Sequence, residues 1–99
     1  MFSRVLDQVR EKIRTRQYIV TVHAEEEMDD DGFSIFDVEH AILTGNIQER
    51  QKDRDTGEWK YRLIGHALDN RRIEIVVKLS ITGKLVVITA YELQAEVNI

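Results

Sequence analysis

The sequence predicts an α+β fold, with three N-terminal helices packed on one face of a four-stranded antiparallel meander sheet. Three observations predict it. Apolar residues recur at helical spacing only in the first 45 residues, and from Asn46 onward they alternate with period two. Two Gly residues, Gly32 and Gly45, punctuate the helical part. The stretch from Arg72 to Tyr91 holds two β-branched runs around Ser80-Ile81-Thr82-Gly83-Lys84, a short turn with Gly where positive φ is easiest.

In chain order, Phe2, Val5, Leu6, Val9 and Ile13 form the apolar stripe of a first helix over residues 1–16, with Ser3 placed to cap it. Residues 18–45 read as a helical pair. Tyr18 to Val22 is a brief extended lead-in, and Thr21 caps a helix from His23 to Asp31 that Gly32 stops. Ser34 caps the next helix, with Asp37 as a short-armed capping box and Ile35, Val38, Ala41 and Ile42 as its buried stripe; Gly45 ends it. The sheet occupies 46–92. Ile47 to Lys52 is a polar strand at an edge, and Asp53 to Gly57 is a turn. Trp59, Tyr61 and Leu63 alternate with Lys60, Arg62 and Ile64 in the second strand, where Gly65 is a candidate bulge.

In the next strand Ile73, Ile75, Val77 and Leu79 share one side, and Arg72, Glu74, Val76 and Lys78 the other. In the last, Val86, Ile88 and Ala90 alternate with Leu85, Val87, Thr89 and Tyr91; apolar residues on both sides mark an interior strand. Residues 93–99 read as a loose tail, completing a single domain over 1–99.

Composition narrows the function classes. The chain has no cysteine, so it forms no disulfide and no thiolate metal site, which fits a reducing compartment such as the cytoplasm. No apolar run approaches a membrane span, and the start does not read as a signal peptide. A net charge of −4 weighs against nucleic acid unless the cations gather in one place.

Alternation supplies a place for them. Lys60 and Arg62 fall on one side of their strand, with His66 if no bulge intervenes at Gly65, Arg72 and Lys78 on one side of the next, and Thr89 and Tyr91 on one side of the last. If these sides coincide, cations stand beside a phenol and an imidazole. That set suits a phosphodiester, because cations stabilise the developing oxyanion and Tyr or His relays a proton. The plainer alternative is a solvated sheet face laced by cross-strand ion pairs. A second cluster, His23 with Glu26 and Glu27, has the spacing of one helix face, yet it lacks the second His of a zinc site and reads more simply as part of an acidic, solvated helix from Glu25 to Asp31. Nothing in the sequence calls for a metal or another cofactor.

Several short features together carry a resemblance. His23-Ala24 opens a helix; Met28, Gly32, Ser34, Asp37-Val38, Ala41-Ile42 and Gly45 follow; Val87-Ile88-Thr89-Ala90-Tyr91 closes the sheet. From about Tyr18 to Glu92 the chain resembles an uncharacterised family of small bacterial proteins, a domain of unknown function distantly similar to RelE- and MqsR-type toxins. The resemblance implies a RelE-like sheet packed by helices and a zinc-finger antitoxin as partner. It also implies metal-independent mRNA cleavage, free or on the ribosome, with His23, Arg62, Thr89 and Tyr91 nearest the site and Lys60, His66, Arg72 and Lys78 holding the RNA. The alternative is a non-catalytic interaction module that binds a protein through its acidic helix or a sheet edge, or pairs with a second copy of itself. The chain departs from the family pattern before Met28 and before Gly32, where many relatives carry Arg and this one carries Glu27 and Asp31.

Overall fold

The structure, a computed structural model, describes residues 1–94. Three helices, α1 (Ser3–Arg14), α2 (Val22–Asp31) and α3 (Ile35–Thr44), accompany five strands: β1 (Tyr18–Val20), β2 (Asn46–Lys52), β3 (Trp59–His66), β4 (Arg72–Leu79) and β5 (Leu85–Glu92). The α+β class and the three helices agree with the sequence reading. The sheet does not. It has five strands in the order β1-β5-β4-β3-β2, and β1 runs parallel to β5 while the other pairs are antiparallel. Tyr18 to Val20, read as a lead-in within the helical pair, is an edge strand whose three residues match Leu85 to Val87. Three residues are too few for alternation to register as a pattern. The tail expected beyond Gln94 lies outside the described residues.

Helix ends follow local chemistry. Thr21 accepts the Ala24 N–H at 3.1 Å, and Gly32 takes φ 71°, closing α2. The Ser34–Asp37 capping box opens α3. Burial favours the neutral Asp37 carboxyl, but N–H donations from Ser34 and Leu68 outweigh it and hold the group below its ordinary value of 3.8. Ser3 does not cap α1; Phe2 occupies that position without a side-chain bond, its ring edge-on to Tyr61 at 6.4 Å. Gly45 and Gly65 have a steric role rather than a conformational one. A Cβ on Gly65 would lie 2.2 Å from the Ala41 carbonyl oxygen, and one on Gly45 would lie 2.4 Å from that of Ile64. The backbones of α3 and β3 therefore touch, and Gly65 pairs regularly with Ile73 instead of forming the expected bulge.

The register shifts instead at Gln48 in β2, between Ile47 and Glu49, and in β5. Val77 pairs with Val87, but Val76 pairs with Thr89, so Ile88 is the extra residue. The expected strict alternation would have put Leu85, Val87, Thr89 and Tyr91 on one face. Instead the bulge flips the strand's second half: Leu85, Val87 and Ala90 enter the core, and Thr89 and Tyr91 turn to the other face. The core lies between sheet and helices and includes Leu63, Ile73, Ile75 and Val77 from the sheet and Val9, Val38, Ala41 and Ile42 from the helices, all fully buried. Among the described residues no helix covers the opposite sheet face.

Candidate functional site

Register alone assigns that open face. Lys60 faces Lys78, Arg62 faces Val76, Ile64 faces Glu74 and His66 faces Arg72 across β3 and β4; Val76 faces Thr89 and Glu74 faces Tyr91 across β4 and β5. Every sequence-derived site residue except His23 thus emerges on one surface, in four successive rows along the strands. At a strand rise of about 3.4 Å, Lys60 to His66 spans roughly 20 Å.

A hydrogen-bonded line crosses its middle. Arg62 donates from Nε to Glu49 Oε1 at 2.9 Å and from Nη1 to Glu74 Oε1 at 3.0 Å; the other Glu74 oxygen, Oε2, accepts the Tyr91 hydroxyl. The Glu74 side chain is only 12% exposed, so the carboxylate is satisfied by its two partners rather than by water. Donation to Glu74, then desolvation, pushes the Tyr91 phenol up to about 12. The phenol is therefore protonated at neutral pH. Arg62 is held above its ordinary value, first by its bond to Glu49. Beside this line, the Thr89 hydroxyl is buried and has no hydrogen-bond partner among the described residues. A buried orphan hydroxyl costs stability, so its retention calls for another reason.

The remaining cations differ in state. Lys60 Nζ lies 3.7 Å from Asp53 and Lys78 Nζ 3.3 Å from Glu58, at the end of the face nearest the turns. His66 and Arg72, at the other end, are exposed. His23 stands on the first turn of α2, 67% exposed, with Nε2 3.4 Å from Glu27 Oε1. It belongs to the rim, joined to the face through Glu27, whose charge helps raise the Tyr91 phenol.

Glu27 and Asp31 are not part of a solvated acidic surface. Along the half of β5 that β1 leaves unpaired, α2 takes the place of a strand. The Ala90 N–H donates to Glu27 Oε1 at 3.2 Å and the Glu92 N–H to Asp31 Oδ2 at 2.7 Å. The Glu27 and Asp31 carboxylates thus satisfy sheet-edge donors. The sequence reading missed this role, and also missed Glu49, Glu74 and Arg71 as partners. Glu74 was findable, since alternation places it between Arg72 and Lys78 on the cationic side. Arg71 was not. Its guanidinium reaches Asp69, Glu92 and the Asp31 carbonyl and lies 4.2 Å over the Phe33 ring, contacts that only the fold brings together.

Residues 20–92 match a protein family described as Domain of unknown function (DUF4258). No curated protein and no solved structure matches the chain. Among the described residues no helix is long and apolar enough to cross a membrane.

Proposed function

The chain belongs to the DUF4258 domain-of-unknown-function family, and from that premise we propose that it is the toxin-like partner of a bacterial toxin–antitoxin pair, acting on RNA across its open sheet face. One observation carries the reading: Arg62, Glu74 and Tyr91 are hydrogen-bonded in line on a face that no helix of the described residues covers, next to the buried Thr89 hydroxyl, which has no partner among those residues.

The chemistry is attack of a ribose 2′-oxygen on the adjacent phosphorus. The P–O bond to the 5′-oxygen breaks, leaving a 2′,3′-cyclic phosphate and a 5′-hydroxyl. The 2′-proton passes to Tyr91 as Tyr91 gives its own proton to Glu74, so the carboxylate is the base and the phenol the relay. A proton from the His23 imidazole, on the rim beside Glu27, goes to the leaving oxygen. Arg62 stabilises the phosphorane oxygens. Lys60, Lys78, His66 and Arg72 hold the strand on either side, which supplies the positioning an in-line attack needs. The inhibiting partner, a zinc-finger antitoxin, would cover this face.

Expression in a bacterial host, with RNA ends mapped in a translating extract, tests it. Growth arrest and cleavage are expected, and Tyr91→Phe or Arg62→Ala should lower the cleavage rate by roughly a hundredfold or more. Unimpaired growth together with intact RNA in the translating extract removes the reading.

A second reading is a non-catalytic interaction module. It is favoured by the pairing of Lys60, Arg62 and Lys78 with Asp53, Glu49, Glu74 and Glu58, which leaves the face close to neutral. Its surface would be Glu25, Glu26, Asp29 and Asp30, all exposed on α2. Reversing those four charges should abolish co-purification with a basic partner; an unchanged complex rejects it.

A further inference from the structure

Away from the open face, the outer end of the β2–β3 hairpin carries a second feature. Trp59 sits two residues further out along β3 than buried Tyr61 and is 41% exposed. The Arg50 guanidinium lies 4.2 Å from its ring centroid and the Lys52 ammonium 5.7 Å away. Arg54 follows in the turn. Among the described residues none of these three cations makes an ion pair. Of the carboxylates in the same turn, Asp53 is engaged by Lys60 and Glu58 by Lys78, which leaves Asp55 alone against three free cations. An acidic chain therefore carries a locally basic tip around an exposed indole. Trp59 also walls a hollow of about 230 Å³ together with Tyr61, Leu79 and Ile81, the last 97% exposed at the β4–β5 turn.

We propose that this tip is a landing site for single-stranded RNA, in which one unpaired base enters the hollow and stacks on Trp59 while Arg50, Lys52 and Arg54 take the flanking phosphates. An aromatic face beside unpaired cations is what a single strand needs, because any base stacks and every phosphate is charged. A duplex keeps its bases inside and cannot fill the hollow. The inference concerns affinity alone and does not depend on cleavage at the open face.

Trp59 is the only tryptophan, so its emission reports the event directly. Titrating the full chain with a ten-nucleotide single-stranded RNA should quench it saturably. Raising salt from 50 to 200 mM should weaken binding roughly fifteenfold, the release expected for about three neutralised phosphates. Followed by anisotropy of a labelled strand, Trp59→Ala and the double change Arg50→Ala with Lys52→Ala should each weaken binding roughly tenfold, with the circular dichroism of the fold unchanged. Tyr91→Phe should keep the quenching even where it abolishes cleavage, which separates this site from the open face. The proposal is overturned by absent quenching, by equal affinity of Trp59→Ala, or by equal quenching with the matching duplex. Equal quenching by polyglutamate also overturns it and assigns the tip to an acidic peptide.

Discussion

Two side chains on the open face make opposite demands on stability, and each can be tested alone. The Tyr91 phenol titrates at about 12 in the fold and ordinarily at 10.0. Its deprotonated form is the charged one, so the raised value means the folded state holds the proton more tightly. The stabilisation is complete below pH 10.0 and is lost as pH rises through about 12. Tyr18 is raised to a similar value, by burial and then its bond to Glu39, so the measurement belongs in a Tyr18→Phe background. There, tyrosinate absorbance should carry a late component that Tyr91→Phe removes and that Glu74→Gln moves toward the ordinary value. Thr89 behaves in the reverse sense. Its buried hydroxyl has no partner among the described residues, so Thr89→Val, close in shape, should leave urea stability unchanged or raise it by up to about 1 kcal/mol. A fall in RNA cleavage with no loss of stability would mark the hydroxyl as a substrate contact; unchanged cleavage would leave it without a role in the reaction.

At the scale of elements, the short edge of the sheet is finished by a helix. β1 covers only Leu85 to Val87, and two carboxylates one helical turn apart on α2 take the next free donors of β5. Removing either acceptor leaves a half-buried N–H unpaired. Glu27→Ala and Asp31→Ala should therefore each cost about 1–3 kcal/mol in denaturant unfolding, whereas Glu26→Ala, at an exposed position, should stay within about 0.5 kcal/mol. Equal effects at all three positions would show that α2 does not seal the edge. The sequence contained half of this. Ala24, Glu27, Met28 and Asp31 share one helix face, and two of them are buried, which marks that face as inward. What it could not show is that the inward face meets backbone N–H groups, since that depends on where β1 stops. The Ile88 bulge was hidden for a similar reason. Apolar residues on both sides of β5 are compatible with either register, and only pairing with Val76 and Val77 shows where the extra residue falls. The bulge nevertheless decides the site, because unbroken alternation would bury Thr89 and Tyr91 beside Leu85 and Val87.

Across the whole molecule, much of one surface could be read before any coordinates from alternation in β3 and β4: Lys60 and Arg62 share a face, as do Arg72 and Lys78, and His66 joins them because Gly65 pairs regularly and does not bulge. Whether the two faces coincide depends on strand order, and whether they stay open depends on where the helices lie. The spacing between the layers is set where Gly45 and Gly65 let α3 rest on β3. Gly65→Ala would drive a methyl group into the Ala41 carbonyl, and neither backbone can yield cheaply. α3 must lift, loosening Val38, Ala41 and Ile42, which are fully buried. The expected cost is at the upper end of overpacking penalties, about 3 kcal/mol or more. Arg62 stands on the far side of the same strand, so the damage should reach the Arg62–Glu74–Tyr91 line as well, and Tyr91 in this variant should titrate nearer 10.0. Thermal unfolding and tyrosinate absorbance of Gly65→Ala read the two effects separately. A destabilised protein whose Tyr91 still titrates near 12 would show that the face keeps its geometry without the helical layer behind it.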